Sequence, residues 1–410
     1  MSEFVRRVKQ LTKSMTQRLG QIDIELTERC NNDCIHCCIN LPVNDADARQ
    51  REMTTEQVKD ILKQAVDLGC MQVRFTGGEP LLRSDFEELY LFARRLGLKV
   101  LLFSNGRLIM PRLAHLFARI PPLEPIEITV YGMHRESYEA VTRAPGSFEQ
   151  FQRGMDLMLE HSVPFIVKAA LLPRNRNEMD EFETWARKIP WMNDRPRHVL
   201  FFDLRNRRDD EAKNKLIKSL RLSPLEGLTV LTRDEADFRK KMTEFASKFM
   251  GPQGDRLFGC GVGCGASVDA YGRAQPCMGV RAPELTIDLV GNGCEDRRTR
   301  GHGDATMRLA DALARFSHLR ELRAKNPDYQ RRCALCFLKG LCEQCPAKSW
   351  SETGTLDSPV EYLCDVAHVQ ARYLGWLGDD ECAWEVVDWQ KRIKRLGVIN
   401  KQLSAAFIDQ

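Results

Sequence analysis

Residues 21–38 read QIDIELTERCNNDCIHCC: a β-rich run over 21–27, then Cys30, Cys34 and Cys37 at C-x3-C-x2-C spacing. Five more β-rich runs follow, at 71–76, 98–103, 126–131, 165–172 and 198–204. Helical patterns lie between them, at 54–68, near 84–96, and at 111–119, 147–161 and 177–188. Thr54 or Thr55 starts the first helix and Gly69 stops it. Strand–helix alternation repeated six times predicts an α/β fold with a parallel sheet and right-handed crossovers. The sheet is either open or curled into a partial (β/α)6 barrel, and its apolar strands predict burial on both faces. In either form ligands sit at the carboxyl ends of the strands. The unusual residues collect at that rim: the cysteine loop after strand one, Gly77-Gly78-Glu79-Pro80 after strand two, Ser104-Asn105-Gly106 after strand three and Gly132-Met133-His134 after strand four.

The whole chain has 410 residues, enough for two domains and a short appendage. We divide it into an N-terminal extension 1–20, the core 21–210, a charged helical linker 211–255, a C-terminal cysteine-rich α+β domain 256–370 and a helical tail 371–410. Helices are expected near 306–324 and 366–396. A net charge of +4 on a chain this long makes no case for nucleic acid. The Arg-rich stretch 297–332 lacks the aromatic residues that a base-stacking surface needs. No apolar stretch approaches the roughly 20 residues of a membrane helix. The first twenty residues contain no secretory apolar segment. The expected compartment is the cytoplasm, where thiols stay reduced. Fifteen cysteines, an odd number, then point to metal binding or catalysis rather than disulfides.

Three thiolates at the spacing of Cys30, Cys34 and Cys37 can wrap one cubane cluster from a single loop. A fully ligated cluster takes four cysteines. Three leave one iron open, as an open position serves catalytic zinc. The competing reading is a structural zinc site with a distant fourth ligand. The cysteine motif after the first strand, followed by the Gly-Gly-Glu-Pro loop after the second, resembles the radical S-adenosylmethionine (SAM) superfamily. The resemblance implies that the open iron chelates the amino and carboxylate groups of SAM. It brings Gly77, Gly78, Glu79 and Pro80 to the amino group, where glycines permit close approach and Glu79 is an acceptor. It sets His36 near the adenine, a position usually aromatic in relatives. It also implies SAM contacts for Ser104, Asn105, Thr129 and Arg143. Relatives usually carry Ser at the place of Thr129 and Asp at the place of Tyr131. The bland alternative for Thr129 and Arg143 is a strand residue and a surface charge. Cys38 is read as an ordinary small core residue.

Nine of the fifteen cysteines lie in 256–366. Cys260-x3-Cys264 leads to Gly272-x4-Cys277, and Cys333-x2-Cys336-x5-Cys342-x2-Cys345 leads to Cys364. A zinc ribbon wants ~15–20 residues between its knuckles, far more than separate Cys336 and Cys342. A redox C-x-x-C pair needs a thioredoxin context. The pattern resembles the SPASM extension of radical SAM enzymes, with the last C-x-x-C one residue short. The resemblance implies two fully ligated auxiliary clusters. One takes Cys260, Cys264, Cys277 and Cys345, with Cys294 as the substitute for Cys345. The other takes Cys333, Cys336, Cys342 and Cys364. Cys38, Cys70, Cys294 and Cys382 are left as structural.

The family chemistry implied is reductive cleavage of SAM to a 5′-deoxyadenosyl radical, hydrogen abstraction from a substrate, and electron return through the auxiliary clusters. It calls for three four-iron clusters, SAM and an electron donor such as flavodoxin or ferredoxin. The implied substrate is a ribosomally made peptide or a protein side chain, with a separate leader-binding protein as a possible partner. The alternative is a dehydrogenase or epimerase acting on a small molecule. Candidate substrate-side residues past strand six are Asp203, Arg205 and Asp209, with Arg205 able to grip a carboxylate. A solvated charged turn is the competing reading. Lys168 on strand five is either interior or at an edge. A non-enzymatic electron carrier has no use for a three-cysteine site beside a Gly-Gly-Glu-Pro loop.

Overall fold

Six strands in chain order carry the first part of the fold: β1 Gln21–Thr27, β2 Gln72–Gly77, β3 Lys99–Ser104, β4 Ile126–Val130, β5 Phe165–Ala170 and β6 Arg197–Val199. Each pairs in parallel with the next. The computed structural model describes residues 18–39, 41–200, 211–252, 254–291, 307–342 and 344–395. Three further strands, β7 Gly265–Val268, β8 Arg273–Gln275 and β9 Ile287–Asp288, extend the sheet on the other side of β1. β7 runs parallel to β1, and β8 and β9 are antiparallel to their neighbours. The order is β9-β8-β7-β1-β2-β3-β4-β5-β6. The architecture is mixed α/β with a parallel-dominated sheet. Among the described residues the sheet stays open, with β9 and β6 at its ends.

The helices between strands form where the sequence patterns set them. The first, Thr55–Asp67, opens on a capping box between Thr54 and Gln57 and buries Val58, Ile61, Leu62 and Ala65. That spacing makes one apolar stripe on a 3.6-residue period. The helix Pro111–Arg119 matches its expected range, and Ser147–Glu160 ends one residue early. A helix at Arg135–Thr142 was not expected. On the sheet, Ile22, Ile24, Leu26, Val73, Phe75, Val100, Leu102, Ile126, Ile128 and Val130 are almost wholly buried. Each such side chain contributes about 1.5–3 kcal/mol through burial.

The second face of the sheet is also largely covered, but by polar side chains at the alternate positions. Asp23 pairs with Arg74 at 3.1 Å and Glu25 with Arg281 at 2.6 Å, and Glu127 pairs with Lys168. Arg74 and Lys168 both lie over the Phe103 ring, at 4.9 and 4.3 Å from its centroid. Period-two alternation sends these polar residues to the face opposite the helices. Lys168 is therefore on the inner face, not at an edge.

The chain falls into two compact units, one running to Leu220 and joined by Gly261–Leu319, the other made of Arg221–Cys260 and Arg320 onward. This differs from the expected linker at 211–255 and domain at 256–370. Helix Glu211–Ser219 belongs to the first unit, where Ile217 packs with Val141, Ala170 and Leu172. β7, β8 and β9 belong there too, because their backbone bonds complete the β1 side of the sheet. The second unit has its own core of Phe337, Leu338, Ala371 and Trp376, packed between helices Pro224–Leu231, Glu235–Phe249 and Glu361–Tyr373. The tail expected as one helix over 366–396 is two, Glu361–Tyr373 and Trp389–Arg395, broken after Leu374 at a left-handed Gly375. The helix expected near 306–324 is Leu309–Ser317.

Candidate active site

The cysteine loop leaves β1 and is fastened on two sides. From the end of helix Arg135–Thr142, the carbonyls of Thr142 and Val141 accept from the amides of Asp33 and Ile35 at 2.8 and 3.0 Å. Arg143 donates to the Asp33 carbonyl at 2.7 Å and pairs with its carboxylate at 2.8 Å. From the turn after β3, Arg107 reaches the same loop. Its Nη1 donates to the Asn31 carbonyl and to the Asn32 side chain, and its Nε and Nη2 donate to Gln150 Oε1 at 3.0 and 2.7 Å. Asn105 Nδ2 donates to Asn31 Oδ1 at 2.7 Å and lies 3.8 Å from Cys30 Sγ.

The Gly-Gly-Glu-Pro loop is shaped by the chain itself. A Cβ on Gly77 would stand 2.1 Å from the Thr27 carbonyl oxygen, and one on Gly78 would stand 2.2 Å from that of Arg29. Gly77 also has φ of 134°, which strains any other residue. The amides of Gly78 and Glu79 donate to Thr27 and Arg29 carbonyls at 2.7 and 2.9 Å. The glycines thus let β2 lie against the root of the cysteine loop. Glu79 is fully buried. It accepts from Leu81 N at 3.1 Å, Ser104 Oγ at 3.0 Å and Asn105 N at 2.8 Å. Burial pushes its carboxyl up to about 7, against the pull of those donors.

A cavity of about 300 Å³ opens at this rim. That is at the small end of the usual ~300–1,000 Å³ for ligand pockets. Cys30, Cys34 and Cys37 line it, together with His36, Gly77, Gly78, Ser104, Asn105 and Thr129. Nine expected residues therefore line one cavity. Glu79, Pro80 and Arg143 do not line it. Glu79 Oε1 accepts from Leu81 N and Ser104 Oγ and its Oε2 from Asn105 N, so the carboxylate ties the β2 and β3 rims together and keeps acceptor capacity for one further donor. Arg143 fastens the loop from outside. Cys38, read as a core residue, does pack near Val141, Ala170 and Leu172 but also lines the cavity. Asn32, Phe103 and Tyr131 were missed as cavity residues. Arg107, at 7% exposure, was missed as well. Its place directly after Ser104-Asn105-Gly106 was the available signal.

Burial sets the electrostatics of the cavity lining, at the thiols and at the histidine. Burial pushes the Cys30 thiol up to about 12 and holds Cys34 well above the ordinary thiol range. Left alone these thiols are protonated, and a bound metal's charge is what draws their protons off. Among the described residues no His, Cys, Asp or Glu group is already drawn together around a single metal ion; three cysteines around one cavity are the donor type that an iron–sulfur cluster takes. Burial pushes His36 down to about 4, leaving a neutral ring 5.8 Å from that of Tyr131.

In the second unit, Cys333, Cys336, Cys342 and Cys364 line one cavity. Cys333 ends a π-helix, Tyr329–Cys333, a form frequent at functional sites. Cys336 caps the next short helix, and Cys364 stands on Glu361–Tyr373. Burial raises all four thiols, to about 11, 12, 11 and 11. Arg332 and His368 approach Cys364 Sγ at 3.7 and 3.6 Å. Cys260, Cys264, Cys277 and Cys345 are exposed. Cys264 and Cys277 belong to the first unit, Cys260 and Cys345 to the second. Asp203, Arg205, Asp209 and Cys294 lie outside the described residues. Cys70 is buried, with its Sγ 3.1 Å from the Gln72 carbonyl. Among the described residues, no helix is long and apolar enough to cross a membrane.

Residues 24–186 match the family model described as the Radical SAM superfamily. An AdoMet-dependent heme synthase of Methanosarcina barkeri is 26% identical over 176 residues, 43% of this chain and 49% of that protein. A GTP 3',8-cyclase of Stenotrophomonas maltophilia is 29% identical over 206 residues, 50% of this chain and 60% of that one. The match thus spans only about half the length of these curated relatives. A PqqA peptide cyclase of Streptomyces rochei is 45% identical over 96 residues, 23% of this chain and 26% of that protein. Among solved structures, anSMEcpe with bound AdoMet has a TM-score of 0.54 at 14% identity, covering 92% of this chain and 99% of that one. Streptococcus suis SuiB bound to precursor peptide SuiA has 0.56 at 14%, covering 88% and 79%. At such identity the two structures speak for the fold.

Proposed function

We propose, from the premise that this chain carries a radical SAM domain and is an enzyme of the oxidoreductase or maturase type, that it cleaves SAM and oxidatively modifies a peptide or protein side chain. The observation that carries the reading is the meeting of Cys30, Cys34 and Cys37 with Gly77 and Gly78 on one cavity wall. Bound there, a four-iron cluster and SAM together supply one-electron cleavage to a 5′-deoxyadenosyl radical. The three cysteines would hold the cluster. His36 would offer its neutral ring to the adenine. Gly77 and Gly78 keep the wall free of side chains beside the amino group, and Ser104 and Asn105 line the same wall.

In this reading Cys333, Cys336, Cys342 and Cys364 hold one auxiliary cluster, supported by their shared cavity. Cys260, Cys264 and Cys277, with Cys345 or Cys294, hold the other. Clusters held by these cysteines would supply an acceptor for the electron left on the substrate, and the modification would then be a net oxidation. Asp203 and Asp209 are the proposed proton acceptors and Arg205 a carboxylate clamp. The PqqA peptide cyclase and the SuiB complex support a peptide substrate, delivered directly or by a separate leader-binding protein. A low-potential donor such as flavodoxin or ferredoxin supplies the electron in the cytoplasm. The GTP 3',8-cyclase supports the second reading, a small-molecule substrate.

The test is anaerobic reconstitution and reduction with SAM, measuring 5′-deoxyadenosine beside Cys34→Ala. Formation by the wild type and not by the variant supports the reading. Zinc rather than iron at Cys30, Cys34 and Cys37 would sink it. Precursor peptides and GTP, offered in separate reactions, decide between the two substrate classes by which one raises turnover.

A further inference from the structure

The cysteine loop is held by an arginine from another loop, which the family pattern does not explain. Arg107 follows the β3 turn and is 7% exposed, as is expected of few guanidinium groups. It is not there to satisfy a surface carboxylate. Its hydrogen-bond acceptors are all neutral: the Asn31 carbonyl, the Asn32 side chain and Gln150 Oε1; the buried Glu79 carboxyl acts on it only through space. Asn31 and Asn32 are the two residues that directly follow Cys30 in the C-x3-C segment. The Arg107 backbone amide donates to Asn105 Oδ1 at 3.0 Å, and Asn105 Nδ2 points toward Cys30 Sγ at 3.8 Å. One buried, permanently charged group therefore braces the segment that joins the first two cysteines.

We propose that Arg107 is a positioning residue for the N-terminal cluster, and that its fixed positive charge makes that cluster easier to reduce. The inference rests on the functional reading above. The chemistry is a single electron taken from a one-electron reductant, with no bond made or broken. Reduction adds one negative charge to a site already holding three thiolates. A cation buried nearby stabilises the reduced state more than the oxidised one, because low-dielectric surroundings screen it little. Gln150 completes the device: it accepts two guanidinium hydrogen bonds without neutralising the charge. A carboxylate at that place would keep the bonds and cancel the charge.

The test is a dithionite-poised potentiometric titration of the reconstituted full chain. It follows only the reduced-cluster EPR signal that changes when SAM is added. Arg107→Gln should lower the midpoint so that reduction is about tenfold less favourable, or about 59 mV for one electron. Arg107→Lys, which keeps the charge, should stay near the wild-type midpoint. Gln150→Glu should lower it by about threefold, or about 28 mV on the same scale. If Arg107→Gln fails to take up iron, Gln150→Glu decides alone. An unchanged midpoint in Gln150→Glu, or equal midpoints for Arg107→Gln and wild type, overturns the proposal. A wild type with no SAM-responsive signal overturns instead the functional reading on which it rests.

Discussion

Replacing Gly78 with alanine tests how tightly the rim is built. The new methyl would stand 2.2 Å from the Arg29 carbonyl oxygen and 2.6 Å from that of Glu28. Real Cβ atoms essentially never come under 3.0 Å, and both neighbours are backbone. β1 and β2 must part there. Two backbone bonds would go with them, Gly78 N to Thr27 O and Glu79 N to Arg29 O. Each is worth about 1 kcal/mol. Overpacking adds about 1–3 kcal/mol. The local cost is then about 3–5 kcal/mol, at the lower end of which opening is already more than a hundredfold more frequent. Hydrogen exchange by mass spectrometry on peptides covering 21–30 and 72–82 reads this directly. Gly261→Ala is the control, since its Cβ would meet nothing within 4 Å. An acceleration of less than tenfold in Gly78→Ala would refute the argument from backbone contact. Because Arg29 precedes Cys30, the same variant should also retain less iron at the N-terminal site.

Burial holds Glu79 at about 7, above its ordinary 4.5, so its proton stabilises the fold fully below about pH 4.5, and that contribution is lost as pH rises through about 7. Glu79→Gln should lose this dependence: in paired urea titrations of apoprotein, its stability relative to wild type should rise across that window, and a flat difference would count against a buried acid. Arg143 and Asp33 are 44% and 62% exposed, so their pair is worth at most about 1 kcal/mol. Arg143→Ala should therefore leave 5′-deoxyadenosine formation within about fivefold of wild type, whereas a loss of a hundredfold would mean direct contact with SAM. Replacing Cys333, Cys336, Cys342 and Cys364 together by alanine should remove one cluster's worth of iron while the SAM-responsive EPR signal persists; unchanged iron content would end the case for a cluster in that cavity.

Much of the core was legible because its signals are local. The first five strands, of five to seven residues between amphipathic helices, have a period that needs no tertiary knowledge, and the cysteine spacing sits on one loop. The capping box at Thr54 and Gln57 is equally local. What escaped depended on distance. β7, β8 and β9 are two to four residues long, too short to register as periodic, and their place beside β1 is set by backbone pairing with the far end of the chain. The structural ties of Glu79 escaped for a related reason. Only the fold shows that Ser104 and Asn105, more than twenty residues on, donate to its carboxylate. Arg107 carried no motif of its own, and only the fold brings it to Asn31.

The pairing of β1 with β7 also sets an order of events during synthesis. Gln21 meets Gly265 across the ladder, some 240 residues later in the chain. At about 5–20 residues per second, the ribosome takes roughly 12–50 s to deliver that partner. Through this interval β1 can pair with β2, but its other edge offers bare amides and carbonyls to any passing strand. The nascent cysteine loop at its end waits for the same interval beside an unfinished sheet. Chaperone occupancy and cluster loading on stalled ribosomes should therefore both change as the chain lengthens past β7.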